Sequence, residues 1–286
     1  MTQAASPYDL PYRLAWRSRS LRTGAHPSAR AGSGGVFRDL AMLINHPDPR
    51  RIDVRQTMRD PFEQVHVRRF EERSAVAVTV LLDVSASMSF VGRTRKMALA
   101  VELVRVLAAS ARRTGDTFAL YGCDRAVRPE LSFPPSRSRV REQDMLARIA
   151  EFRPLHGGSS GLLEAAETIA ARRGVVFVIS DFFMDESEHD ALFQALSAHD
   201  VIPIALSDSS EMSALPDWGL LALRDLETGR RRLVVMRPSL KTEWGRRSEA
   251  RRTTLRSVAA RYGREPIELK DAVDWERLGA ALLCGA

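Results

Sequence analysis

The sequence predicts an α/β fold, a doubly wound and mostly parallel sheet with helices on both faces. From residue 74 onward, short apolar segments alternate with longer segments whose apolar residues recur at helical spacing. Continuous apolar strands are typical of parallel sheets buried on both faces, and the alternation is typical of α/β domains. A polar loop directly follows the first of these strands. It indicates a binding site, because ligands of open α/β sheets bind at the carboxyl ends of the strands.

The predicted elements of this domain follow one another regularly along the chain. The strand at 76–82 leads into a helix at 96–113, whose alanine, leucine and valine residues fall on one face. Two segments flank Glu227-Thr228-Gly229 and predict an added β-hairpin, with strands at 220–226 and 231–236. Further strands are predicted at 117–123, 175–179, 201–206 and 267–270, and further helices at 140–152, 161–172, 188–198, 241–262 and 275–283.

Composition divides the chain into three predicted parts. Residues 1–35 are rich in Arg, Ser, Gly and Pro, which predicts a flexible basic N-terminal segment, partly helical near 10–21. Residues 36–73 carry short apolar pieces broken by prolines, with a strand pattern near 65–70, and we expect a small β-rich appendage there. Residues 74–286 form the predicted α/β domain.

The overall composition indicates a soluble cytoplasmic protein. Hydrophobic residues make up 44% of the 286 residues, enough for a sizeable core. No apolar run approaches the roughly 18–20 residues needed to cross a bilayer, and the N-terminus lacks the apolar stretch of a secretion signal. The two cysteines, Cys123 and Cys284, lie far apart, which argues against a disulfide framework or a structural zinc site.

A formal charge of +7 raises the alternative of nucleic-acid binding. The arginines, however, are spread along the chain, and their densest stretch, 246–261, has the pattern of the outer face of an amphipathic helix. A solvated face, or one that meets an acidic protein partner, is therefore favoured over a nucleic-acid interface.

Three polar loops carry the candidate chemistry. Asp83, Ser85 and Ser87 follow the first strand, a Gly-Gly-Ser-Ser loop at 156–160 precedes a helix, and Ser180-Asp181 follows another buried strand. Each loop alone is compatible with a helix-capping role. Together they offer carboxylates and hydroxyls at one edge of the sheet, and such oxygen donors suit a hard cation such as Mg²⁺. We therefore favour a shared, oxygen-lined site.

These loops resemble the metal-ion-dependent adhesion site of von Willebrand factor A domains. The resemblance implies a von Willebrand factor A-like fold in which Mg²⁺ is bound and an acidic residue of a protein partner completes its coordination; Mn²⁺ and Ca²⁺ stay open. Residue by residue, it assigns Asp83, Ser85 and Ser87 to the first metal-binding loop and Asp181 to the last. It places Ser159 where that family has threonine, so the hydroxyl is kept and the methyl group is lost.

A second resemblance covers most of the chain, and it is to domain-of-unknown-function family 58. Members are commonly encoded beside MoxR-type AAA+ ATPases, and the MxaS-type members belong to methanol-oxidation gene clusters. The chain departs from the family at Val54, where tryptophan is frequent, and at 46–49, which replaces a usual Gly-Asp-Asp. The matching motifs are Arg51-Ile52-Asp53, residues 67–72, residues 82–88, residues 179–182 and Asp225-Leu226-Glu227-Thr228-Gly229.

A non-catalytic role is favoured over an enzymatic one. Ser85 and Ser87 lack a Gly-x-Ser-x-Gly elbow, and no phosphate-binding Gly-x-x-x-x-Gly-Lys-Ser/Thr loop is present. The family resemblance implies a metal-dependent adaptor that works with a MoxR-type ATPase in maturation or metal insertion of a client complex, with methanol dehydrogenase as one such client. A basic nucleic-acid-binding protein and a magnesium-dependent phosphoester hydrolase are the alternatives.

Overall fold

A computed structural model describes residues 10, 12, 23–155, 157–169, 173–224 and 231–284. The chain divides into two compact units. One comprises 15–76 with 114–116, and the other comprises 1–14, 77–113 and 117–286. We call them the N-terminal unit and the α/β unit.

Strands and helices alternate through the α/β unit, whereas the N-terminal unit is built mainly of strands. The strands are β1 (Thr23–Met42), β2 (His66–Ser74), β3 (Ala77–Asp83), β4 (Thr117–Cys123), β5 (Val127–Ser136), β6 (Val175–Ser180), β7 (Asp200–Ser207), β8 (Gly219–Arg224), β9 (Arg231–Met236) and β10 (Ile267–Lys270). The helices are α1 (Val54–Thr57), α2 (Lys96–Thr114), α3 (Arg139–Glu151), α4 (Ser160–Thr168), α5 (Glu186–Ala195), α6 (Ser210–Ser213), α7 (Pro238–Arg261) and α8 (Trp275–Cys284).

The central sheet has six strands in the order β10-β7-β6-β3-β4-β5. All neighbouring pairs are parallel except β4 and β5, which are antiparallel. Numbered along the chain within this sheet, the order is the doubly wound 3-2-1-4-5-6. The order reverses between β3 and β6, and ligands of such sheets bind beside the carboxyl ends of the strands at this switch point. Asp83 ends β3, and Ser180 ends β6.

Both faces of this sheet are covered, as the apolar strands predict. On one face, Leu81 and Val178 belong to a core cluster with Leu162 of α4, Phe193 of α5 and Val258 of α7. On the other face, the Phe177 ring meets Tyr12 edge-on, with ring centroids 6.5 Å apart. All six residues of β6 are buried. The predicted mostly parallel α/β fold is therefore confirmed.

The added hairpin is also confirmed, while one strand of the central sheet, β5, was not predicted. Strands β8 and β9 pair antiparallel as a separate two-stranded sheet. The predicted turn between them, at 227–229, lies outside the described residues. The end of the helix that we predicted at 161–172 also lies outside them. Strand β5, which the sequence analysis did not assign, contains Pro129, Pro134 and Pro135, residues that disfavour an interior strand. It is an edge strand, where proline is tolerated because one side needs no ladder hydrogen bonds.

The N-terminal unit is built on the antiparallel pair β1 and β2. Strand β1 begins at Thr23, so residues 23–35, which we expected in a flexible segment, belong to a strand instead. Low apolar content argued against order there, but the backbone pairs with β2, more than thirty residues away, with several register shifts. Asp39 accepts from Arg69 across this pair, which lowers the pKa of Asp39. The helix expected at 10–21 lies outside the described residues except for 10 and 12.

Candidate metal centre

Asp83 lies at the carboxyl end of β3 with its side chain buried. Its Oδ1 accepts a hydrogen bond of 2.8 Å from the backbone amide of Ser85. Its Oδ2 accepts a bond of 2.5 Å from the hydroxyl of Ser180, the last residue of the neighbouring strand β6. The parallel pairing of β3 with β6 brings these two strand ends together. Asp83 is therefore held in one orientation at the switch point of the sheet.

Ser85 and Ser87 follow on a tight turn. A short 3₁₀ turn, Ala86–Ser89, begins directly after Ser85, and its Met88 side chain is fully buried and anchors the loop. The Ser85 and Ser87 hydroxyl oxygens lie 3.0 Å apart. Ser85 is buried and Ser87 is half-buried. The structure thus brings together the first three predicted ligands, two hydroxyls beside one carboxylate.

Asp181 follows β6, and its position depends on an unusual backbone. The next residue, Phe182, has φ 51°, in the left-handed region that a bulky residue rarely adopts. The hydroxyl of Ser180 accepts from the Phe182 amide at 2.8 Å and holds this turn. Such strained residues cluster at functional sites. The result is an Asp181 side chain only 6% exposed, close enough to Asp83 to raise the pKa of that carboxyl.

A lysine that the sequence analysis missed faces Asp181. Lys96, the first residue of α2, donates from Nζ to Asp181 Oδ2 at 2.9 Å and lies 2.6 Å from Glu211 Oε1. The Lys96 side chain is 5% exposed. Glu211 belongs to α6, just after the carboxyl end of β7. This placement at the same sheet edge is the signal that could have drawn attention to Glu211.

The charges of the centre act in opposite directions on the ionised forms of Asp83 and Lys96. Burial, and then repulsion from Asp181, raises the pKa of Asp83 to about 7, although bonds from Ser180 and Ser85 oppose the shift. Burial lowers the pKa of Lys96, but the carboxylates of Asp181 and Glu211 outweigh it and raise that pKa overall. A divalent ion beside Asp83 would relieve the repulsion between the two aspartates. The donor set of carboxylate and hydroxyl oxygens therefore fits Mg²⁺.

The structure does not join Ser159 to the other predicted ligands by a hydrogen bond. Ser159 is the half-buried N-cap residue of α4, and its side chain does not cap that helix. The neighbouring Ser160 hydroxyl donates to the carbonyl of Arg125, and the Gly161 amide donates to that of Asp124. These bonds tie the start of α4 to the loop after β4. His156, from the same predicted loop, lies outside the described residues.

The acidic groups of this centre are few. In the part of the chain that the structure describes, no three His, Cys, Asp or Glu side chains converge in a way that could hold a metal. A metal here would therefore depend on serine hydroxyls as well as aspartates. Among the same residues, no helix is long and apolar enough to span a bilayer.

Several arginines of the basic helix α7 are engaged within the molecule. Arg247 pairs with Glu243, Arg256 with Glu268, and Arg261 with Glu186 and Asp190. The Arg251 guanidinium lies 4.0 Å from the centroid of the Phe183 ring, next to the candidate metal centre. Three of the arginines of this helix are therefore already paired with carboxylates of the same molecule.

The sheet order and the polar loops at its switch point define a von Willebrand factor A-like α/β domain. The family model described as "Protein of unknown function DUF58" matches residues 47–254, and the chain belongs to this family. The predicted family resemblance and fold are thereby confirmed.

The chain is also similar to individual proteins and solved structures. An uncharacterized protein in the moxR 3′ region of Paracoccus denitrificans is 36% identical over 104 residues, which cover 36% of this chain and 99% of that protein. An aerotolerance-related membrane protein from Bacteroides fragilis is 14% identical with a TM-score of 0.45, covering 73% of this chain and 98% of that one. The SpRpn10 VWA domain is 12% identical with a TM-score of 0.39, and the match covers 71% of this chain and 93% of that one.

Proposed function

We propose that this protein is a non-catalytic, metal-dependent binding module for a MoxR-type AAA+ ATPase. The observation that carries the proposal is the buried Asp83 carboxylate, held beside two serine hydroxyls at the switch point of the sheet. The choice of partner is supported by the Paracoccus denitrificans relative, which lies in the moxR 3′ region.

The metal would be Mg²⁺, bound through Asp83, Ser85, Ser87, Ser159 and Asp181. Asp83 and the two nearby hydroxyls supply oxygen donors on one side, and Mg²⁺ commonly keeps water at its remaining positions. Asp181 is paired with Lys96 and would share its carboxylate between the ammonium and the ion or its water. Ser159 would complete the set from the start of α4. Mn²⁺ and Ca²⁺ prefer similar oxygen donors and stay open as alternatives.

The bound ion would then serve recognition. An Asp or Glu of the ATPase would occupy the open coordination position, so that metal and partner bind cooperatively. The groups around Asp83 are serine hydroxyls, backbone amides and an ion pair, which orient a cation and provide no evident nucleophile with its own base. We propose that this protein and the ATPase act together in the cytoplasm, in maturation or metal insertion of a client complex. Methanol dehydrogenase is one candidate client.

The test is a binding experiment with a purified MoxR-type AAA+ ATPase from the organism that encodes this protein. Wild-type protein is expected to retain the ATPase in Mg²⁺ and to release it in EDTA. Asp83→Ala is expected to lose retention in Mg²⁺ while its circular dichroism spectrum stays that of the folded protein. Asp217→Asn is a charge-matched control, because Asp217 is exposed and pairs with Lys241 away from Asp83. Retention that is unchanged in EDTA would exclude metal bridging.

A further inference from the structure

A groove of about 780 Å³ opens in the α/β unit directly beside the loop that carries Ser85 and Ser87. Two of its apolar residues are largely exposed: Val91 at 63% and Leu155 at 75%. Contiguous exposed apolar surface of this kind marks interaction sites in soluble proteins. The apolar lining consists mainly of Met88, Phe90, Val91, Met97, Phe152 and Leu155.

The charged residues of the groove are mostly arginines. Arg95, Arg105 and Arg153 line it, against a single carboxylate, that of Glu102. Among the described residues, none of these three arginines takes part in a salt bridge. The Nε of Arg105 is buried from solvent and has no hydrogen-bond partner there. The described residues therefore supply no internal acceptor for this atom, and no carboxylate among them competes for the guanidinium with one from outside.

The groove adjoins the loop that carries two of the candidate metal ligands. Met88 follows Ser87 in the same short turn, so one loop contributes to both. The Phe90 ring, which lines the groove, lies 5.7 Å from Lys96 Nζ, and Lys96 pairs with Asp181. A chain segment seated in the groove would therefore have its next residues within reach of the metal-binding loop.

We propose that this groove binds an acidic, amphipathic segment of the partner protein. Apolar side chains of that segment pack against Val91 and Leu155, and its carboxylates pair with Arg95, Arg105 and Arg153. A polypeptide fits better than a small organic acid, because three separate arginines and an extended apolar lining call for several carboxylates and apolar groups on one ligand. Identifying this partner as the MoxR-type ATPase rests on the proposed function.

The experiment measures the affinity of that ATPase for single variants by biolayer interferometry, in Mg²⁺ and in EDTA. Leu155→Asp and Arg105→Glu are each expected to weaken binding by about tenfold or more, as loss of a central contact does at interfaces. Val140→Asp and Arg141→Glu are matched controls on the exposed face of α3, and both should bind as wild type does. Overlapping synthetic peptides that span the ATPase are then tested directly. The peptide that binds should be acidic and apolar, and Leu155→Asp should abolish its binding.

The outcomes separate this proposal from the metal site. If Asp83→Ala and EDTA abolish binding while both groove variants bind as wild type, the groove proposal is wrong and metal bridging stands. If the groove variants lose affinity while EDTA has no effect, the groove proposal stands and metal bridging fails. Binding only by basic or uncharged peptides would also overturn the assignment of an acidic segment.

Discussion

The ammonium group of Lys96 and the carboxylate of Asp181 form a hydrogen-bonded ion pair of 2.9 Å beside the candidate metal centre. Both side chains are almost completely buried, at 5% and 6% exposed. The pair joins the start of α2 to the residue that follows β6. Asp83 is held next to it by hydrogen bonds from Ser85, in the loop between β3 and α2, and from Ser180, the last residue of β6. Lys96 thus supplies positive charge inside a centre that the sequence predicts for a metal.

Removing the Lys96 ammonium should destabilise the protein strongly. Lys96→Met leaves Asp181 buried without its cation and is expected to lower the free energy of unfolding by about 3–5 kcal/mol. Lys241→Met is the matched control, because it removes an ion pair with Asp217, which is 69% exposed, and should cost less than about 1 kcal/mol. Urea denaturation of both variants checks this, and equal losses would contradict a structural role for the buried pair.

The same variant should bind metal more tightly. Lys96→Met removes a positive charge next to Asp181 and frees that carboxylate for a cation. Titration calorimetry with MgCl₂ should therefore give a lower dissociation constant than for the wild type. Lys241→Met should leave the constant unchanged. An equal or weaker affinity in Lys96→Met would show that the ammonium does not compete with the ion.

Two substitutions of Asp83 should separate its charge from its hydrogen bonds. In EDTA, Asp83→Asn is expected to be at least as stable as the wild type, because it removes a buried charge and keeps an acceptor for the Ser85 amide. Asp83→Ala leaves Ser85 and Ser180 without their acceptor and should lose about 1–3 kcal/mol. Added Mg²⁺ should stabilise only the wild type. Urea denaturation with and without Mg²⁺ measures this, and a less stable Asn variant in EDTA would refute the role given to charge.

Asp208 should make a pH-dependent contribution to stability. Its carboxylate accepts hydrogen bonds from the backbone amides of Thr94 at 2.8 Å and Ser210 at 2.7 Å. Burial opposes ionisation of Asp208, but these bonds and one from the Ser210 hydroxyl outweigh it and lower the pKa of Asp208 well below its usual range. A lowered folded-state pKa stabilises the protein fully above the unfolded pKa of about 4, and the contribution is lost progressively as the pH falls below it. The stability difference between the wild type and Asp208→Asn should therefore be constant above about pH 5 and shrink by pH 3. A difference that grows on acidification would contradict this.

Two helical glycines should respond oppositely to alanine. A Cβ on Gly161 would lie 2.5 Å from the carbonyl oxygen of Ala126, so Gly161→Ala should destabilise by about 1–3 kcal/mol and displace the start of α4. A Cβ on Gly279 of α8 would meet Leu10 at an ordinary 3.8 Å. Gly279→Ala should therefore stabilise by about 0.5–1 kcal/mol. Thermal unfolding of both variants checks the pair, and a stable Gly161→Ala protein would contradict the close packing there.

The sequence by itself determined the α/β class and the order of the central elements, and it brought forward the first three candidate ligands. The apolar strands are long and continuous, and Asp83, Ser85 and Ser87 are close in the chain, so short-range patterns suffice for them. Strand β1 and edge strand β5 were not predicted, because their composition is typical of loops. They become strands by pairing, β1 with β2 and β5 with β4.

Only the tertiary structure decided what surrounds Asp83. Lys96, Ser180 and Glu211 come from three elements, and their contacts with Asp83 and Asp181 depend on strand order and helix placement, which chain spacing does not show. The groove beside the metal loop likewise forms where α2 lies near residues 149–155. Charge pairing and burial act through space, so their effect on Asp83 and Asp181 could be assessed only once the fold had brought these groups together.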